Sequence, residues 1–152
     1  MTQATTIAPV LKSVHVKCDP AHAFAVFTRE IGSWWPLETH ALHPGTSRGV
    51  VWEERAGGEV YEISADGARS HWATVLDWSP PTGFTIAWHV NPEAAAPTEI
   101  EVRFSSEAGG TRVDLEHRYW ERLGSTGATT REGYGSKDGW EAVLARFSVA
   151  VG

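Results

Sequence analysis

Residues 98–119 read TEIEVRFSSEAGGTRVDLEHRY, and their parity decides the fold. Ile100, Val102 and Phe104 fall on one side of an extended chain, with Glu99, Glu101 and Arg103 on the other. Ala108-Gly109-Gly110 supplies a turn. Beyond it Val113, Leu115, His117 and Tyr119 alternate with Arg112, Asp114, Glu116 and Arg118. Strands that alternate this strictly build an antiparallel sheet with one solvated face and one covered face. The cover stands near the C-terminus. Trp140, Val143, Leu144, Phe147 and Val151 recur at the spacing of one helical face. Two capping boxes compete for the start of that helix, Thr129-x-x-Glu132 and Asp138-x-x-Glu141, and the glycines at 133, 135 and 139 weaken the stretch between them.

Upstream, the same period continues. Val50–Glu54 and Val60–Ile63 flank Ala56-Gly57-Gly58 as a hairpin, Ser70–Trp78 follows, and Phe84, Ile86, Trp88 and Val90 alternate in the next strand. The first strand falls over Leu11–Lys17. Asp19-Pro20 then reads as an N-cap followed by proline at the first helical position. Phe24, Phe27 and Ile31 make one apolar helical face, Gly32 and Pro36 interrupt it, and Leu37–Gly49 reads as a long loop. The fold class is therefore α+β: a curved six- to seven-stranded antiparallel sheet wrapped around a long C-terminal helix, with one or two short helices after the first strand. Residues 1–9 read as a flexible tail, and 10–152 as a single domain.

Composition narrows the function classes. The chain has 152 residues, 41% hydrophobic and 21% charged, enough to bury roughly 70% of its unfolded surface. A formal charge of −6 argues against a nucleic-acid surface, which needs clustered Lys and Arg, and against anionic membranes. The single cysteine, Cys18, excludes an internal disulfide framework and multi-cysteine zinc sites. No apolar run approaches the roughly 18 residues of a membrane span. The N-terminus lacks the pattern of a signal peptide, so a reducing cytoplasm is the expected compartment. Eight tryptophans against one methionine point to an aromatic core or an aromatic-walled cavity.

The order of elements and several local stretches resemble a known family. These stretches are Phe24-Ala25-Val26-Phe27 through Ile31-Gly32-Ser33-Trp34-Trp35-Pro36, and Arg55-Ala56-Gly57-Gly58-Glu59-Val60-Tyr61-Glu62. Further on come Val75-Leu76-Asp77-Trp78-Ser79-Pro80-Pro81, Pro97 to Phe104, Gly110 to His117, and Gly139-Trp140 opening the run to Leu144. Together they make the chain similar to the START/SRPBCC, birch-pollen-allergen-like superfamily. Within it, the chain resembles the bacterial proteins named after the activator of the 90-kDa heat-shock-protein ATPase. The resemblance implies a helix-grip domain. It leaves function among ligand carriers, cyclases and co-chaperone domains.

Three functions fit these residues. The first is binding of a small, largely apolar molecule between the sheet and the C-terminal helix. Trp34, Trp35, Trp88, Val102, Phe104, Leu115, Trp140 and Leu144 are the expected apolar contacts. Tyr61, His117 and Tyr134 would fix orientation. Leu37–Gly49 and Leu123–Gly135 would gate the cavity. The second is a cyclase, dehydratase or hydrolase using His117 as acid–base, with Glu54, Glu62 or Tyr61 as its partner. The competing role for His117 is a hydrogen-bonded core histidine. The third is a co-chaperone-like interaction domain. Trp120, on the polar parity beside Glu116 and Arg118, is the expected dimer or partner contact.

Motifs for other chemistry are missing. His-Glu-x-x-His, Gly-x-Ser-x-Gly, phosphate loops and dinucleotide fingerprints do not occur, and no cofactor is expected. His40 and His43 with Glu38 form the one local group with metal-ligand character, and a further ligand would have to come from His71, His89 or His117. Cys18 would be nucleophilic only if the following helix N-terminus lowered its pKa.

Overall fold

The computed structural model describes residues 6–42, 45–89 and 96–151, so His43 and Val90 lie outside the described residues. Seven strands form one antiparallel sheet: β1 (Val10–Val16), β2 (Ser47–Trp52), β3 (Glu59–Ser64), β4 (Arg69–Ser79), β5 (Gly83–Trp88), β6 (Thr98–Glu107) and β7 (Gly110–Arg118). Their spatial order is β1-β7-β6-β5-β4-β3-β2, so only the first strand is displaced from a simple meander. The β6–β7 hairpin pairs Val102 with Leu115 and Phe104 with Val113, as the alternation requires. All four side chains are buried.

Between β1 and β2 lie α1 (Pro20–Phe27) and α2 (Ile31–Trp34). Asp19 caps α1, its Oδ1 accepting from the His22 amide at 2.8 Å, and Pro20 occupies the first turn. The terminal helix α4 (Trp140–Val151) lies against the concave face through Trp140, Val143, Leu144 and Phe147. This is the α+β helix-grip arrangement.

Four local expectations need correction. Leu123–Gly135, expected as a mobile gate, is helical. A 3-10 helix (Trp120–Thr126) leads into α3 (Gly127–Gly135), despite three glycines and two threonines in the α3 sequence. Packing overrides propensity there. Tyr134 packs against the core, and Arg131 donates to the carbonyl oxygens of Ala8 and Pro9. Neither rival capping box caps its helix: Thr129 lies inside α3, and the Gly139 carbonyl accepts from Val143 in the first turn of α4. Leu37–Gly49 is also shorter than read, because β2 begins at Ser47. A bulge between Ser47 and Gly49 hides its period.

The fourth correction concerns Trp120. Its ring is 1% exposed, so it offers no partner surface. Tyr119 adopts a left-handed backbone (φ 69°), which ends β7 and breaks the parity on which an outward reading rests. The Trp120 indole then donates to the His117 carbonyl at 2.8 Å and packs against Tyr134.

Beneath the C-terminal half of α4 the interior is filled. Phe24, Phe27, Phe84, Phe104 and Phe147 contact one another in edge-to-face and tilted pairs, with Phe27 and Phe147 centroids 5.0 Å apart. Trp34, Val102, Leu115 and Leu144 join this solid half of the core. The open space lies at the other end.

Candidate functional site

A β-bulge builds the back wall of a cavity. On β4, Ala73 pairs with Val60 and His71 with Tyr61, so Trp72 is the extra residue. The bulge turns Trp72 inward beside Ala73, and both are buried. Neighbouring Trp88 on β5 faces the same way. Trp35 approaches from the end of α2, and Trp140 from the first turn of α4. Trp35 and Trp72 centroids are 5.1 Å apart, Trp72 and Trp88 5.7 Å, and Trp35 and Trp140 6.0 Å.

These four rings line a cavity of about 470 Å³ at the N-terminal end of α4. Val143 and Tyr134 extend the wall, and α3 forms the opposite side through Thr129, Thr130 and Gly133. Exposed Leu42, Thr129 and Asp138 rim the mouth. The volume lies within the ~300–1,000 Å³ usual for small-molecule sites.

The polar atoms of the wall are tied to the protein. Trp35 donates its indole N–H to the His40 carbonyl (2.9 Å), Trp72 to Glu62 Oε1 (3.0 Å), Trp88 to the Tyr134 hydroxyl (3.0 Å) and Trp140 to His117 Nδ1 (3.0 Å). The four indoles therefore turn apolar surface to the cavity. Burial pushes the Tyr134 phenol pKa up, and the bond from Trp88 only partly counters it, so the hydroxyl keeps its proton at neutral pH.

Of the residues singled out from sequence, Trp35, Trp88, Tyr134 and Trp140 meet at this cavity. His117 stands one layer behind it. It is 0% exposed, with Nε2 2.8 Å from the Thr98 hydroxyl and Nδ1 accepting from Trp140. Burial drives its pKa down to about 3, so it is neutral near pH 7. Two observations speak against the acid–base role expected near neutral pH: both ring nitrogens are engaged, and burial favours the neutral ring.

Tyr61 shares neither layer. It alternates with inward Val60 and Glu62, and the Arg69 guanidinium covers its ring at 4.7 Å. Trp34, Val102, Phe104, Leu115 and Leu144 pack in the core without lining the cavity. Glu54 pairs with Arg29 on the surface.

Of the loop group expected to have metal-ligand character, Glu38 and His40 are the described members, and each has another partner. Glu38 pairs with Arg146, and His40 donates from Nε2 to the Asp138 carbonyl at 2.7 Å. Among the described residues no three His, Cys, Asp or Glu side chains gather as a metal site. His40 instead bridges the Leu37–Leu42 loop to the α3–α4 connection. Cys18 has a raised thiol pKa, chiefly from burial and then from Asp19.

Trp72 and Leu42 escape a parity reading, whereas Glu62 shares the inward parity of Val60. The bulge hides Trp72, and Leu42 sits in an aperiodic loop. Glu62 is a carboxylate at 0% exposure that holds the cavity rim, accepting from the Leu42 amide at 2.7 Å. Val143 carries a signal of its own, its place on the apolar stripe of α4.

No helix among the described residues is long and apolar enough to cross a membrane. No curated protein matches the chain. Among solved structures, an anthrahydroquino-γ-pyrone synthase, Txn09, shares 32% identity over 95% of this chain and 97% of that one, with a TM-score of 0.66. CalC, a self-sacrificing resistance protein from Micromonospora echinospora, shares 28% identity over 95% and 94%, with a TM-score of 0.70. The Aha1 dimer from Colwellia psychrerythraea shares 17% identity over 95% and 96% at a TM-score of 0.64, a likeness of fold alone. The family described as Activator of Hsp90 ATPase homolog 1-like protein matches residues 17–152, and the chain belongs to it.

Proposed function

We propose that the protein binds a small, flat, largely apolar molecule in the cavity between α3, the start of α4 and the sheet. One observation carries this reading: four indoles surround about 470 Å³ while every one of their N–H groups is already bonded to the protein. Such a wall gives up little on meeting an apolar guest. Removing apolar surface from water contributes ~25 cal/mol per Å², and ring-to-ring contacts add to it.

Quenching of tryptophan fluorescence by planar tricyclic aromatics tests the proposal. Gly133 lines the cavity and a Cβ built there meets nothing within 4 Å, so Gly133→Phe sets a ring at the cavity wall without a backbone clash. Saturable quenching that disappears in Gly133→Phe, with the melting temperature held, supports the reading. Equal binding by that variant would overturn it.

A second reading is conversion of the bound molecule, favoured by the 32% identity to a synthase. Tyr134 and His40 would be the proton-bearing groups at the cavity wall, since His117 lies behind it. A new product mass after incubation with aromatic polyketide substrates, lost in Gly133→Phe, separates conversion from binding.

A further inference from the structure

The cavity has one donor to spare. Trp88 gives its N–H to the Tyr134 oxygen at 3.0 Å, which makes that oxygen an acceptor and frees its own proton for another partner. No acceptor for that proton occurs among the described residues. Tyr134 lines the cavity, and the aromatic ring of Trp140 (centroid 6.2 Å) and that of Trp120 (5.3 Å) restrict its swing. A donor left over in an apolar recess discriminates strongly for ligands that supply an acceptor.

Charge narrows the ligand further. No Lys or Arg lines the cavity among the described residues, so a carboxylate bound there would lose its hydration without a counter-ion. The spare donor therefore suits a neutral acceptor, and the indole walls suit a flat ring system.

We infer that Tyr134 is a specificity-determining residue whose hydroxyl donates to a carbonyl oxygen of the ligand, and that the cavity selects uncharged planar aryl ketones or quinones. The inference rests on the binding reading above and adds the ligand's chemistry and orientation. The carbonyl edge faces α3, and the unsubstituted rings lie among Trp35, Trp72 and Trp88. Trp88 acts as a positioning residue, since its N–H fixes which way the phenolic proton points.

The test compares 9-fluorenone with fluorene, two tricycles of nearly equal shape that differ by one carbonyl. Wild-type protein should bind fluorenone more tightly, and Tyr134→Phe should cut that preference by about two- to tenfold, with any change in fluorene affinity smaller than the loss for fluorenone. The carbonyl stretch of bound fluorenone should lie at lower frequency in wild type than in Tyr134→Phe, a shift that a purely structural tyrosine would not produce. Binding of both probes with no preference and no shift would overturn the role of Tyr134 and leave the cavity reading standing. Failure of both probes to bind would overturn the cavity reading and this inference together. Fluorene-9-carboxylate should bind more weakly than either, and tighter binding of that anion would refute the charge argument.

Discussion

Trp140 donates its indole N–H to Nδ1 of His117 across 3.0 Å, and that bond fixes the imidazole tautomer. With Nδ1 committed as acceptor, the proton sits on Nε2 and points to the Thr98 hydroxyl at 2.8 Å. His117 thus joins α4 to β6 and β7 as a neutral strut behind the aromatic wall. A protonated ring would set its Nδ1–H against the indole N–H.

The strut makes stability depend on pH in a defined direction. The folded-state pKa of His117 is about 3, below the usual unfolded value near 6.5. Between those values the unfolded chain binds more protons, so stability rises with pH through that window and is flat above it. The limiting slope is about 1.4 kcal/mol per pH unit. Urea denaturation at pH 5.0 and 7.5 should show lower stability at pH 5.0, and the difference should shrink in His117→Gln. An NMR titration in which the His117 ring shifts moved between pH 5.5 and 8 would contradict the assignment.

The same histidine marks how far the sequence could be read. Alternation along Ile100–Phe104 and Val113–His117 gave the sheet, its covered face and the inward position of His117, because a period of two is fixed by backbone geometry. The apolar stripe from Trp140 to Val151 gave α4 for the same kind of reason. What stayed hidden were departures from period. The bulge at Trp72 aims a second large ring inward, and the left-handed Tyr119 buries Trp120. Each changes the parity by one residue, and neither has a local signature. The partners of His117 were equally illegible, since Thr98 and Trp140 lie 19 and 23 residues away in sequence.

Gly139 and Gly133 should respond oppositely to alanine. A Cβ on Gly139 would lie 2.2 Å from the Tyr134 carbonyl oxygen and 2.5 Å from that of Gly133, so the α3–α4 connection would have to open. Overpacking against backbone typically costs about 1–3 kcal/mol. Gly133 has open space around its Cβ position inside α3, so Gly133→Ala should stabilise by about 0.4–1 kcal/mol. Urea midpoints of the two variants check this. A Gly139→Ala variant as stable as wild type would mean that the connection yields freely.

Cys18 should react slowly. Burial first, and the Asp19 carboxylate second, push its thiol pKa up, which lowers the thiolate fraction at neutral pH. The α1 N-terminus brings no activation, because its capping position is already filled by Asp19. Ellman's reagent at pH 7.5 should label native protein well below the rate for glutathione, and urea should restore the ordinary rate. Labelling of the native thiol faster than glutathione would be incompatible with this environment.

Glu62 ties the cavity rim to its back wall, and its substitutions should separate acceptor from charge. Oε1 takes the Leu42 amide at 2.7 Å and the Trp72 indole at 3.0 Å. Gln at this position keeps a side-chain oxygen for those donors, so Glu62→Gln should hold most of the stability and of the aromatic binding. Ala leaves two donors without that oxygen, at a cost of about 1–3 kcal/mol for each one that stays buried. Because Leu42 and Trp72 both face the cavity, Glu62→Ala should also weaken fluorenone binding where the protein remains folded. Paired urea denaturation and fluorescence titrations read both effects. If Gln proved as damaging as Ala, the negative charge rather than the acceptor geometry would be what holds the rim.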